Sequence, residues 1–165
     1  MSMKTILALI LASAVIFSVT SCANKLPNQE ESILFPEFKV NDLQDKEVNL
    51  RSYKGKIVII NLFATWCPPC QQEILHFIDL QKKYKEIIAI VGLSYDKGGS
   101  DVVISFAKET NINYNLYWGS DQIFEYTKSK GLPYTLIIDQ TGHIAYTFEG
   151  YRHKYTYEKA IKSLL

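Results

Sequence analysis

Residues 57–70 read Ile57-Val58-Ile59-Ile60-Asn61-Leu62-Phe63-Ala64-Thr65-Trp66-Cys67-Pro68-Pro69-Cys70, an apolar run that ends on two cysteines spaced two residues apart. Ile57 to Ala64 is almost wholly apolar and β-branched at its start, which is the pattern of a parallel strand buried on both faces. Pro68 to Tyr84 follows, with Ile74, Leu75, Phe77, Ile78 and Leu80 on a broad helical face. Ile87 to Leu93 is a second buried strand. Strand, helix and strand in this order predict a right-handed parallel crossover, and the fold class is α/β.

The remaining elements are read outward from that unit. Phe35 to Val40 and Val48 to Leu50, separated by the turn-like Gln44-Asp45-Lys46, suggest an N-terminal β-hairpin. Asp101 to Thr110 reads as a helix capped by Ser100, Tyr114 to Trp118 as a strand, and Asp121 to Lys130 as a further helix. Tyr134 to Ile138 and His143 to Phe148 are strands joined by Asp139-Gln140-Thr141-Gly142. Tyr157, Ile161, Leu164 and Leu165 mark an amphipathic C-terminal helix. No repeat is visible, and Gly98-Gly99 alone is a turn rather than a phosphate-binding loop.

The two cysteines lie where a buried strand hands over to a helix. A helix N-terminus carries unpaired N–H groups and partial positive charge, so a thiolate there is stabilised and its pKa falls below the free value of ~8.5. Cys67, at the very start, is expected to be the exposed nucleophile. Cys70 is one turn in, and ideal helix geometry would hold the two Cβ atoms ~5–6 Å apart, wider than a disulfide allows. The bond can close only if Cys67 stands at the unwound edge of the first turn. Pro68 and Pro69 suit first-turn positions, stiffen the site, and remove two donors that could have stabilised a thiolate. Cys67 attacks a partner's disulfide, and Cys70 resolves the mixed disulfide; run backwards, the same steps oxidise a dithiol. A half zinc site and a structural disulfide are the competing readings. His76, His143 and His153 are scattered without a CxxC or HxxxH partner, so no metal is expected, and each histidine reads as a surface or core polar residue.

The N-terminal stretch reads as a targeting segment: Lys4, then an apolar run from Ile6 to Val19, shorter than the roughly 20 residues that span a bilayer. It ends in Val19-Thr20-Ser21-Cys22, which resembles a bacterial lipoprotein signal box. On that reading residues 1–21 are a lipoprotein signal peptide, and Cys22 becomes a lipid anchor in the bilayer. Residues 22–33 form a flexible tether, with the polar Ala23 to Ser32, and 34–165 form one domain. Ordinary cleavage with a free Cys22, or an uncleaved anchor, are the alternatives. The 18 basic and 17 acidic residues of the 165-residue chain give no electrostatic footprint for nucleic acid. With Cys22 lipidated, a single close pair remains of the three cysteines, so an exported chain of this kind is not a disulfide-stapled scaffold.

Together, Asn61-Leu62-Phe63-Ala64-Thr65-Trp66-Cys67-Pro68-Pro69-Cys70, Gly131-Leu132-Pro133-Tyr134-Thr135 and the Asp139 to Ile144 hairpin resemble the TlpA/ResA-like thioredoxins of the bacterial cell exterior. The resemblance runs from about Phe35 to the C-terminus. It implies a thioredoxin-like fold with a central mixed β-sheet flanked by helices, and an inserted strand and helix between Leu93 and Gly131. It also implies a thiol-disulfide oxidoreductase without a cofactor beyond its redox-active disulfide, reducing exported proteins such as apocytochrome c and drawing electrons from a membrane donor.

Residue by residue, the resemblance implies that Trp66, Pro68, Pro69, Leu132 and Pro133 meet the substrate. Pro133 would be cis and face the cysteines, the alternative being a trans proline that opens a strand. Glu73 matches a family acid that perturbs the titration of the cysteines and moves protons for Cys70, the alternative being a solvated helix residue. Asn61 stands where cytoplasmic thioredoxin has a buried acid, and an amide cannot act as a general base. An oxidase or isomerase remains open as the direction of the chemistry. A thiolate copper chaperone of the Sco type is disfavoured, because such proteins have a longer cysteine spacing and a histidine near the place of Leu132-Pro133.

Overall fold

The computed structural model describes residues 33–165. The expected signal peptide 1–21, Cys22 and nearly all of the tether lie outside the described residues. β1 (Lys39–Asn41) and β2 (Glu47–Asn49) form a small antiparallel sheet, and Leu50–Tyr53 is a single 3₁₀ turn. The hairpin strands are shorter than the sequence suggests, because Phe35 and Phe38 bury as a loop against the main sheet and Leu50 opens the 3₁₀ turn.

The main sheet contains β3 (Ile57–Phe63), β4 (Ile88–Ser94), β5 (Asn115–Trp118), β6 (Tyr134–Ile138) and β7 (Ile144–Glu149), in the order β5-β4-β3-β6-β7. β3 pairs parallel with β4 and antiparallel with β6, so the sheet is mixed about its central strand. All seven residues of β3 and of β4 are buried, as strands covered on both faces require.

Alternation along β3 divides the core. Ile57 and Ile59 face α1 (Pro68–Tyr84) and α4 (Lys154–Ser163), where they meet Phe77, Leu80, Tyr157 and Ile161. Val58, Ile60 and Leu62 face the opposite layer with Phe35, Phe38, Leu50 and Ile123, the last from α3 (Asp121–Thr127). At the C-terminal end of β3, Phe63 and Ala64 join Cys67, Cys70, Ile74 and Val103, which belongs to α2 (Ser100–Thr110). Cys67 follows that end by four residues, at the carboxyl end of the sheet's central strand.

Several local expectations are corrected. Ser100 does not cap α2: it is the first helical residue, the cap position is Gly99 at φ 85°, and no side chain closes that end. α3 ends at Thr127 because Lys128 takes left-handed angles, φ 52° and ψ 25°. Leu75 is 55% exposed, because the sheet covers the stripe through Cys70, Glu73, Ile74, Phe77 and Leu80 and leaves the next residue around the helix outside. Leu165 lies beyond the end of α4 and is likewise exposed. Among the described residues no helix is long and apolar enough to cross a membrane.

Candidate active site

Cys67 has extended backbone angles, φ −94° and ψ 104°, and forms the N-cap of α1 just outside the helix. That placement brings its Cα within 5.2 Å of the Cα of Cys70, and the two sulfurs are bonded. Pro68 and Pro69 occupy the first two helical positions and carry no N–H. The Cys70 N–H, at 3.3 Å, therefore faces the Cys67 sulfur from the first turn of the helix. Cys67 was expected to be exposed. In the oxidised pair it is 5% accessible and Cys70 is at 0%, because both sulfurs pack into the cluster of Phe63, Ala64 and Ile74.

Trp66 beside them is 68% exposed, and both prolines lie at the surface. The Leu132-Pro133 bond is cis, Pro133 is buried, and the Leu132 side chain packs against the cluster that holds the two cysteines. Trp66, Pro68, Pro69, Leu132 and the cysteines thus gather at one end of the sheet.

Glu73 is fully buried rather than solvated. One turn beyond Cys70, it turns into the sheet, where its carboxylate meets four donors. Oε2 accepts from Asn61 Nδ2 at 3.0 Å and Thr135 Oγ1 at 3.4 Å, two residues paired across β3 and β6. Oε1 accepts from the Arg152 backbone N–H at 2.9 Å and from the Tyr157 hydroxyl. Burial pushes the Glu73 carboxyl above the ordinary carboxylate range, while Tyr157, the Arg152 N–H, Thr135 and Asn61 pull it back by solvating the charge. Burial and the adjacent Glu73 charge raise Tyr157 well above the ordinary phenol range. A carboxyl poised in this way can hold or release a proton one helical turn from a thiol. Asn61 serves as a donor to that carboxyl, and its own Oδ1 has no partner among the described residues.

Asp96, which sequence reasoning passed over, fixes the approach to the cysteines. Its carboxylate accepts from the Thr65 N–H at 2.9 Å, the Thr65 hydroxyl at 2.6 Å and the Ser94 hydroxyl at 2.8 Å. The turn that carries Trp66 and Cys67 is thereby tied to the end of β4. The available signal was an acid two residues after a buried parallel strand, at the carboxyl end where α/β sheets place their chemistry. Tyr157 and Thr135 were legible only as core residues, and Arg152 acts through its backbone, which no side-chain pattern reports.

The histidines are less scattered than the sequence implies: the His76 and His153 rings lie 5.2 Å apart between centroids. Among the described residues, no group of three or more His, Cys, Asp or Glu side chains is disposed to hold a metal.

The model of the AhpC/TSA family matches residues 34–162. The chain belongs to that family. Within this thioredoxin-like group it is similar to the thiol-disulfide oxidoreductase ResA of Bacillus cereus, 30% identical over 98% of this chain and 94% of the relative. It is also similar to the thioredoxin-like protein YneN of Bacillus subtilis, 30% identical over 66% of this chain and 65% of that protein. A solved thiol:disulfide interchange protein of the thioredoxin family from Chlorobium tepidum superposes with a TM-score of 0.73 at 25% identity, covering 83% of this chain and 99% of that one. This member of the AhpC/TSA family is a ResA-like thiol-disulfide oxidoreductase, and Cys67 and Cys70 are its bonded Cys-X-X-Cys pair.

Proposed function

We propose that the chain is a lipid-anchored reductase of disulfides in exported proteins, held by Cys22 on the outer face of a bacterial membrane and recharged by a membrane thiol donor. The Cys67 thiolate attacks one sulfur of the partner's disulfide, and the other partner sulfur leaves and takes up a proton. Cys70, deprotonated, then attacks the Cys67 sulfur. The second partner thiol departs, and the Cys67–Cys70 bond re-forms with two electrons transferred. Glu73 is the acceptor for the Cys70 proton in this scheme. Trp66, the two prolines after Cys67 and Leu132 are the surface against which the partner chain lies, and Pro133, which is buried, takes part only through the turn it shares with Leu132. Apocytochrome c is the partner class that the ResA resemblance favours.

The observation that carries the reducing direction is the poverty of the thiolate's surroundings. Two prolines leave the Cys70 N–H as the first-turn donor facing Cys67, and a buried acid rather than a cation lies one turn beyond Cys70. A strong oxidant owes its potential, about −120 mV, to a stabilised reduced thiolate, and little here supplies that. Equilibration with a glutathione buffer tests the reading. A potential below about −200 mV is expected, and a value near that of the strong oxidant would make this protein a disulfide donor.

A further inference from the structure

The donors on Glu73 come from two mechanically different halves of the molecule. Asn61 and Thr135 sit inside the sheet, paired across β3 and β6, and hold Oε2 through the sheet's own ladder. The donors on Oε1 come from the turn between β7 and α4 and from α4 itself, and the Tyr114 phenol, just before β5, is raised above the ordinary phenol range by burial and then by the Glu73 charge. A turn and a surface helix reach a buried acid only while something holds them against α1.

Gly150 ties the turn to the sheet, its N–H donating to the Pro133 carbonyl at 2.8 Å, and beside Arg152 the fastening to α1 is Tyr151. The Tyr151 hydroxyl lies 2.9 Å from His76 Nε2, in a partly buried contact. His76 is three residues beyond Glu73 on α1, about one turn along the same side of the helix. The Arg152 guanidinium does not anchor the turn to α1: it folds back on the Tyr151 carbonyl at 2.9 Å and the Gly150 carbonyl at 3.4 Å. His153 follows and accepts the Tyr155 N–H at the start of α4, 3.4 Å away. Two ion pairs also join α1 to α4, Asp79 with Lys154 and Lys83 with Glu158, each at 2.8 Å. Both lie at the surface, where such pairs contribute little. Burial, with the adjacent His153 and Lys154, keeps His76 less basic than an ordinary histidine, and Asp79 opposes this. In its neutral form with Nε2 unprotonated, the ring accepts the phenol proton.

We infer that Tyr151, pinned by His76, is a positioning residue: it holds the Arg152 N–H on Glu73 and thereby sets the proton affinity of the acid next to the cysteines. The inference rests on the reading of Glu73 given above, and its test separates the two.

The experiment uses the full-length oxidised chain carrying ¹³C at the glutamate carboxyls, with the Glu73 titration followed by NMR. Tyr151→Phe and His76→Phe each remove the link and keep an aromatic ring in place. Each is expected to raise the Glu73 midpoint by about 0.5 pH unit or more, since a carboxylate that loses a backbone donor holds its proton more tightly. The double variant should shift no further than either single one, because both remove the same contact. Lys83→Ala, which cuts an α1–α4 ion pair elsewhere, should leave the midpoint where it was. An unmoved midpoint in the single variants would overturn the inference. So would additive shifts, or an equal shift in Lys83→Ala, which would mean general loosening. The pH profile of Cys67 alkylation in the reduced proteins is the second readout. A moved midpoint with an unmoved thiol profile would leave the positioning role standing and remove Glu73 from the proton chemistry.

Discussion

Tyr157→Phe isolates the interaction on which the buried acid most depends. The ring contacts survive the change, since a phenylalanine keeps the aromatic ring that packs with Phe77 at 4.8 Å and Phe148 at 5.4 Å between centroids. The substitution leaves no cavity beyond one oxygen, and Oε1 keeps the Arg152 N–H. The loss is therefore that of one hydrogen bond whose strength depends on the charge of its acceptor. It is about 1 kcal/mol while Glu73 is protonated and about 1.5–3 kcal/mol once it is ionised. The sign with pH follows from burial. Glu73 binds its proton more tightly when folded than at the ordinary value of 4.5. Its contribution to stability is full below that value and is lost as pH rises through the folded one. Removing a donor to the carboxylate raises the folded value further, so the variant declines over a wider range. Urea unfolding of the oxidised proteins between pH 4 and pH 9 should show a destabilisation that grows with pH. A loss of the same size at both ends would show that the hydroxyl does not solvate an ionising Glu73, and would refute the coupling.

Three other outcomes are expected. In the reduced protein Cys67 should be alkylated faster than Cys70, the residue with no accessible surface; Cys67→Ser should abolish disulfide reduction and Cys70→Ser should accumulate mixed disulfides on non-reducing gels, whereas faster alkylation of Cys70 would reverse the assignment. Asp96→Ala should cost about 1.5–3 kcal/mol in urea unfolding and slow mixed-disulfide formation in stopped flow, because the Thr65 N–H and hydroxyl lose their shared acceptor; an unchanged attack rate would release Asp96 from any part in placing Cys67. Cys22→Ala should block lipid attachment, read by mass spectrometry of the membrane fraction, without altering the redox activity of the domain; a wild-type protein free of lipid would refute the anchor.

The parts of this molecule that the sequence alone determined are those whose cause is local. An eight-residue apolar run is long enough for a strand and too uniform for a surface one, so β3 was legible from Ile57 to Ala64, and its hand-over to a helix at Cys67 followed from two prolines that tolerate only first-turn positions. The Cys67–Cys70 chemistry followed from that junction, since spacing and helix terminus are both properties of a few consecutive residues. The ends of α2 and α3 were harder, because Gly99 and Lys128 take left-handed angles whose need is set by where the chain must go next. The tertiary structure alone decided what surrounds Glu73. Its partners lie 12 residues before it and 62, 79 and 84 residues after it, one of them a backbone N–H, and no periodicity along the chain records such a meeting. The same holds for Asp96 and Thr65, 31 residues apart in sequence. A helical acid looks the same in sequence whether it faces water or the sheet. Burial against β3 gave Glu73 a higher proton affinity than a solvated glutamate has, and burial is a property of the assembled layers rather than of any one segment.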